Sequence, residues 1–373
     1  MSTWRRYLYF EILRAVGFVM LAFLSLFLFF DLVHELNGIG RVAFDNPDLY
    51  YGLHHVLAFI GLQTTNRIYE LLPMTVLIGT VWVLARMANS SEFTILRTSG
   101  LGPWRALRSL LGLGAVFVVM TFVLGDYLAP WTEQQAQLLK ARFEGRISQG
   151  ATGVWLKERQ GDRHFSINVG AMNADRKLER IQIFEFTNDG AMVSIIRAQQ
   201  GSIENGGWLL QQVQQREFQD SQLKTNTSPL IINNHRQIAW TTDITTEMVA
   251  VALLRPERMR TMDLYKYIQH LNNNEQSALR YEIEFWRKVF YPLSCLVMVV
   301  LALPFAYLHA RSGGVAGYVF IGVMIGISFF LLNHMFGFIG NLRQWTPWMA
   351  AGLPSLLYSV LSLSAFGWLV LRR

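Results

Sequence analysis

Arg287 and Lys288 stand side by side at the head of a long apolar run, and Asp31, Glu70, Asp126 and Glu284 mark the edges of others. Ionisable groups at membrane depth are expensive, so each needs a partner or a function. Two chemistries are open to them. Glu284 and Lys288, four residues apart, can pair on one helix face, while the other long side chains reach out to water. Alternatively the bases face a cavity and meet anionic phosphates, for which guanidinium and ammonium groups are natural partners. Lys140 and Arg142 lie just beyond another apolar run. Glu92 sits in a short polar segment between two such runs. It either stabilises a helix start, worth about 0.5–2 kcal/mol, or contacts a cytoplasmic protein that receives the helix in a groove.

Catalytic patterns are missing. A phosphate cradle of the G-x-x-x-x-G-K-[ST] type requires a Gly-Lys pair, and none occurs anywhere in the chain. His34-Glu35 begins like a zinc-protease helix, but Gly38 stands where the second histidine belongs. There is no G-x-S-x-G elbow. The one cysteine, Cys295, lies within an apolar run and reads as a small buried hydrophobe, with no disulfide partner. Asn226-Thr227-Ser228 is formally a glycosylation sequon of a kind that arises by chance.

The elements that must position these residues are membrane spans. Between Ile12 and Leu371 there are about six apolar stretches, each near the ~20 residues that cross a bilayer as a helix. Of 373 residues 52% are hydrophobic and only 16% charged, against about 25% charged in soluble domains. Trp4, Tyr7, Tyr127, Trp131, Tyr281, Trp286, Trp345 and Trp348 fall where helices leave the hydrocarbon. The net charge of +7 would suggest nucleic acid in a soluble protein. Here the bases gather instead at one set of span ends: Arg5, Arg6 and Arg14, then Arg86, Arg97, Arg105 and Arg108, then Arg311, then Arg372 and Arg373. The positive-inside rule makes these ends cytoplasmic, with both termini inside and the insert after the third span outside. Ala15 to Phe30 is too long for a signal-peptide core, and no small-x-small site follows it, so the first span is read as an uncleaved anchor.

Along the chain, Met1 to Arg14 reads as a short interfacial helix, and the first span as ending near Leu32. A shorter apolar run, Val56 to Leu62, is expected on the membrane surface, before a second span over Ile68 to Ala85. Asn89 and Glu92 have capping-box spacing. Gly100 suits the left-handed position after a short helix, and Pro103 the first position of the next. The third span, Ala106 to Leu128, continues as a polar helix over Glu133 to Arg142. From Gly153 to Met248 the period turns toward two, with hairpin signals at Asp189-Gly190 and Asn205-Gly206 and a phase slip at Ile183-Phe184. An antiparallel β domain is expected there, sandwich or jelly-roll-like. A helix over Met262 to Leu271 leads to spans at Phe285–Leu308, Val315–Phe338 and Trp348–Leu371. Gly322-x-x-x-Gly326 permits close helix approach, within the chain or between subunits.

Several segments together resemble the LptF/LptG permeases of the lipopolysaccharide export ABC transporter. Pro73 to Gly79 fits P-x-x-x-L-x-G, and Ser91 to Gly100 fits S-E-[LF]-x-x-[LM]-[RQ]-x-S-G. Gly125-Asp126-Tyr127-Leu128-Ala129-Pro130 followed by Glu133 also matches, as does Trp286-Arg287-Lys288-Val289-Phe290-Tyr291-Pro292-Leu293. Arg311-Ser312-Gly313-Gly314 with Asn333-His334-Met335-Phe336-Gly337 looks more like the LptG branch. The resemblance implies an α+β membrane protein with six transmembrane helices, three plus three, and a periplasmic antiparallel β-jellyroll-like domain between the third and fourth. The divisions would be 1–130, with a coupling helix at about 89–99; 131–280, the β domain with flanking helices; and 281–373.

It further implies a bacterial inner-membrane permease subunit that extracts lipopolysaccharide between its first and fifth spans. Its partners would be a homologous LptF-like subunit, an LptB-like ATPase dimer that binds ATP and Mg, an LptC-like single-span protein and a periplasmic bridge protein. No cofactor of its own and no nucleic acid are expected. Glu92, Phe93, Leu96 and Arg97 would lie in the helix contacting the ATPase. Some family members carry lysines just beyond the first span; this stretch reads Asp31, His34, Glu35. Headgroup recognition is therefore expected at Arg41, Arg67, Lys140, Arg287 and Lys288. Phe27, Phe30, Phe320 and Met324 are candidates for an acyl-chain wall, although any one of them can equally face lipid. Two other readings remain: a lipoprotein-releasing permease, whose outer domain would follow the first span, and a membrane-anchored sensor or scaffold with a ligand-binding β domain.

Overall fold

The computed structural model describes residues 3–42, 49–144, 153–173, 177–204, 207–218, 230–245, 248–249, 252, 256–274, 276–307 and 314–371. The hairpin signal at Asn205-Gly206, the sequon, Arg311 and the terminal arginines lie outside them, as does the side chain of Arg142. The chain forms two compact units: Met1–Asn37 with Ile60–Glu133 and Leu279–Arg373, and Gly38–Phe59 with Gln134–Ala278. Helices are α1 (Thr3–Leu36), α2 (Leu53–Asn89), α3 (Glu92–Thr98), α4 (Pro103–Val123), α5 (Ala129–Glu144), α6 (Thr261–Asn273), α7 (Leu279–Leu301), α8 (Val315–Leu342) and α9 (Pro347–Leu371). Among the described residues six helical segments are long and apolar enough to span a membrane.

Two expectations about the early chain change. No separate interfacial helix precedes the first span, because Thr3 to Leu36 contains no proline and its Gly17 has open space around it. Val56 to Leu62 belongs to the same helix as the second span. The polar residues after it are helix-compatible, and Thr64 donates to the Ile60 carbonyl at 2.9 Å. The third span runs on as expected, α4 passing through a π-helical turn at Leu124–Leu128 into α5.

The first unit is held by apolar burial and small residues at helix crossings, the usual device where water supplies no drive between helices. Its core includes Ile12, Leu72, Val76, Leu77, Leu84, Leu110, Phe117, Met298 and Leu303. At Gly79 a Cβ would come within 2.7 Å of the Val16 backbone nitrogen, so α1 and α2 touch nearly backbone to backbone. Gly322 and Gly326 of α8 face Val81 and Met74 of α2, which assigns the G-x-x-x-G pair to packing within the chain. Cys295 is buried beside Thr121.

In the second unit six antiparallel strands follow one another in a single sheet: β1 (Val154–Gln160), β2 (Arg163–Met172), β3 (Leu178–Thr187), β4 (Met192–Glu204), β5 (Gly207–Phe218) and β6 (Leu230–Thr241). The Asp189-Gly190 turn joins β3 and β4 with Gly190 at φ +80°. The β3–β4 register shifts between Glu185 and Phe186, two residues beyond the expected slip. Leu156, Ile167, Val169, Ile181, Ile183, Trp208 and Leu210 are buried. The sheet curls until β1 reaches the end of β6. Gln160 Nε2 donates to the Thr241 carbonyl at 2.9 Å, and Glu158 accepts from Thr242 Oγ1 at 2.5 Å and from the Asp243 amide at 2.9 Å. α6 buries Leu264, Tyr267, Ile268 and Leu271. Asn274 at its end accepts from the Arg159 amide at 3.1 Å, occupying part of the exposed edge of β1.

Two outcomes follow from this packing. Gly79→Leu overpacks the α1–α2 crossing, at about 1–3 kcal/mol for a tight site. Its thermal unfolding in detergent should fall well below that of Gly61→Ala, whose added methyl meets nothing within 4 Å; equal melting would contradict the close crossing. In the β unit, burial pushes the His270 imidazole below its ordinary range, with Glu158 opposing. The unfolded chain then binds the proton more readily, so stability is full above the ordinary histidine pKa of about 6.5 and declines below it. Amide exchange over α6 and β1, corrected for intrinsic rates, should be faster at roughly pH 5.5 than 7.5. His270→Gln should flatten that difference, and equal protection in the native chain would refute it.

Candidate functional site

The short helix α3 is built by its two ends. α2 runs through Asn89, Ser91 turns the chain at φ +61°, and Glu92 is the first residue of α3. The expected capping box therefore does not form: Asn89 is consumed by the preceding helix, which leaves Glu92 at the wrong position to reach back. Glu92 instead accepts from Ser90 Oγ at 3.0 Å and Tyr7 Oη at 3.4 Å. The other end matches expectation. Gly100 adopts φ +98°, its amide donates to Arg97 O at 3.1 Å, and the Leu101 amide donates to Leu96 O at 3.0 Å. This double bond is the Schellman arrangement that a left-handed glycine allows. Pro103 then opens α4.

α3 is seated by its apolar side. Phe93 is buried edge-on to Tyr307 with centroids 5.0 Å apart, and Leu96 packs on the same core. Glu92 and Arg97 are half-buried, and Thr94, Ile95 and Thr98 are exposed. Of the residues expected to meet a partner, Phe93 and Leu96 thus face inward. Ile95, at 63% exposure, was not singled out by the sequence.

A second cluster ties the C-terminal end of α1 to the N-terminal half of α2. Arg67 grips Asp31 bidentately, Nη2 to Oδ1 at 2.8 Å and Nε to Oδ2 at 3.0 Å. It also meets Glu70 at 3.4 Å. Its guanidinium lies 5.5 Å from the ring centre of Phe27. Arg67, an expected headgroup residue, and Phe27, an expected wall residue, are therefore in direct contact, and Asp31, which the sequence named without a partner, pairs with Arg67.

Further round, Arg287 and Lys288 are engaged separately. Arg287 Nη1 is 2.8 Å from Glu284 Oε1, both side chains largely buried, so Glu284 pairs with the base three residues on. Arg287 Nη2 also donates to Asn333 O at 3.3 Å and lies against Gly337. Lys288 Nζ donates to Gly125 O at 3.1 Å, in the π-helical turn, where one carbonyl is offset from the regular ladder. Tyr291 Oη donates to Glu70 O at 2.7 Å and its ring neighbours Tyr69. That turn was not expected from the sequence; the Gly125-Asp126 pair within an apolar run is the signal that could have found it.

In the second unit Lys140 Nζ lies 4.9 Å from the Phe59 ring centre, and Arg41 sits in an exposed turn whose carbonyl accepts from the Tyr51 amide. In the first unit, Val19 and Phe23 of α1, Met74 and Ile78 of α2, and Val319 and Val323 of α8 form one apolar cluster. Phe30, Phe320 and Met324 are exposed on α1 and α8.

A family model described as "Lipopolysaccharide export system permease LptF/LptG" matches residues 6–372. A protein of Haemophilus influenzae named lipopolysaccharide export system permease protein LptG is 27% identical, covering 100% of this chain and 99% of its own length. One of the same name from Escherichia coli K12 is 25% identical, over 99% and 98% respectively. With that match spanning nearly every residue and a β unit set between the third and fourth spans, the chain belongs to the LptF/LptG family of permeases.

Proposed function

We propose that this chain is a transmembrane permease subunit of an ABC transporter that extracts lipopolysaccharide from the outer leaflet of the inner membrane and passes it to a periplasmic bridge. The observation that carries this reading is family membership across residues 6–372. ATP with Mg is bound and hydrolysed by an LptB-like pair, a homologous LptF-like permease completes the membrane part, and an LptC-like single-span protein joins them. The termini and α3 lie in the cytoplasm and the β unit in the periplasm, in keeping with the basic residues at one set of span ends.

α3 is suited to transmit force. Its core side is anchored by Phe93 and Leu96, and Glu92 with Ile95 remains for a groove on the ATPase. At the other face, the Asp31–Arg67 grip closes the outer half of α1 onto α2. A phosphate on the substrate offers Arg67 the same bidentate geometry as the Asp31 carboxylate. Exchange of one for the other loosens α1 while the substrate's charge is held, and the acyl chains gain the wall presented by Phe27, Phe30, Phe320 and Met324. Each methylene transferred from water is worth about 0.8 kcal/mol, so the lipid moves only where apolar cover is continuous.

Arg287 and Lys288 serve chiefly to hold the spans. Removing one partner of a buried ion pair costs about 3–5 kcal/mol, so Arg287→Ala is a poor probe of substrate contact.

Glu92→Lys should leave a stably inserted protein that no longer retains the ATPase on co-purification and no longer exports; unchanged retention would count against α3 as the coupling element. Arg67→Gln should reduce photocrosslinking of lipopolysaccharide at position 30 by about tenfold, the loss of one charge-assisted bidentate contact. Asp31→Asn should not reduce it. The reverse order would rule out the exchange.

A further inference from the structure

Between the N-terminal part of α1 and the C-terminal part of α2 lies an open cavity of about 320 Å³. Its lining combines Arg14, Arg86 and Glu11 with Phe18, Trp82 and Val83, of which Phe18 is 62% exposed. The Glu11 carboxylate takes the Arg86 guanidinium directly and lies 4.0 Å from that of Arg14. Arg86 takes Glu11 directly and also feels the Glu92 carboxylate, so the guanidinium left with least compensation is that of Arg14. Arg14 also stacks 3.9 Å above the Phe10 ring, which holds its charge at the mouth. Beside them the Phe18 and Trp82 rings meet at 5.5 Å and present an apolar surface.

Depth identifies what such a cavity meets. Glu11 lies twenty residues before Asp31 on α1, and Arg67 nineteen before Arg86 on α2, so the inner and outer ion pairs stand roughly 30 Å apart at 1.5 Å per helical residue. That matches the ~30 Å hydrocarbon thickness of a bilayer. The cavity thus sits where headgroup phosphates end and acyl chains begin, on the face opposite the Asp31–Arg67 grip. A free inorganic anion has no use for the Phe18 and Trp82 rings, and a neutral lipid none for the Arg14 guanidinium, which Glu11 approaches only to 4.0 Å. Basic pockets between helices at the cytoplasmic surface are places where anionic headgroups settle.

We propose that this cavity binds an anionic phospholipid of the cytoplasmic leaflet, its phosphate on Arg14 and Arg86 and the start of an acyl chain over Phe18 and Trp82. The assignment of leaflet rests on the orientation given above. Glu11, one turn beyond Tyr7, places the bound lipid beside the residue whose hydroxyl reaches Glu92.

Native mass spectrometry of the delipidated, assembled transporter, titrated with phosphatidylglycerol or phosphatidylcholine of equal chain length, tests this. Phosphatidylglycerol should bind at least about fivefold more tightly, the worth of one basic residue facing an anionic surface. Arg14→Gln should erase that preference, leaving the Arg86–Glu11 pair in place, and Arg14→Lys should restore it. The orientation is checked separately by thiol accessibility from the cytoplasm at positions 13 and 89. Equal binding of the two lipids, an unchanged preference in Arg14→Gln, or displacement by inorganic phosphate at matched concentration would each overturn the proposal.

Discussion

A polar group in hydrocarbon has no water to turn to, and the membrane unit is arranged around that fact. α1 and α2 meet at three levels. Glu11 with Arg86 joins one pair of ends, the inner ones on the proposed orientation; Gly79 against Val16 brings the backbones together; and Asp31 with Arg67 joins the other pair, the outer ones. The other outer-end charges obey the same rule. Arg287 is matched by Glu284 and a carbonyl, and Lys288 supplies the proton that a π-turn leaves wanting.

On the proposed reading this arrangement also sets how the permease operates. The contact between α1 and α2 has an ion pair at each end and a close crossing at Gly79, so the Asp31–Arg67 end can exchange one anion for another while the crossing and the Glu11–Arg86 pair hold. α3 stands at the inner end, where Tyr7 of α1 and Ser90 beyond α2 both reach Glu92. A push on α3 is therefore felt first by the fixed ends of the same two helices.

Much of this was legible in the residues. Spans four to six, the polar continuation of the third, the antiparallel insert, the Gly100 turn and the Pro103 start all follow from periodicity and backbone chemistry, which act locally. What the sequence did not disclose depends on distant partners. The capping box failed because α2 extends through Asn89, a matter of where a helix ends rather than of spacing. Val56 to Leu62 fused with the second span because nothing between them breaks a helix. Arg67 with Asp31, and Lys288 with Gly125 O, join residues 36 and 163 apart, beyond the reach of any local pattern. Phe93 and Leu96 turned inward because a seven-residue helix must bury one side to stay in place.

The central claim is a helix pair fixed at its inner end and releasable at its outer end. Double electron–electron resonance in the reconstituted complex, with labels at Leu36 and Gly61 for the outer ends and at Leu13 and Asn89 for the inner ends, measures it directly. Adding lipopolysaccharide and ATP should lengthen the outer distance while the inner one stays constant. An outer distance that never changes, or two distances that lengthen together, would contradict the account.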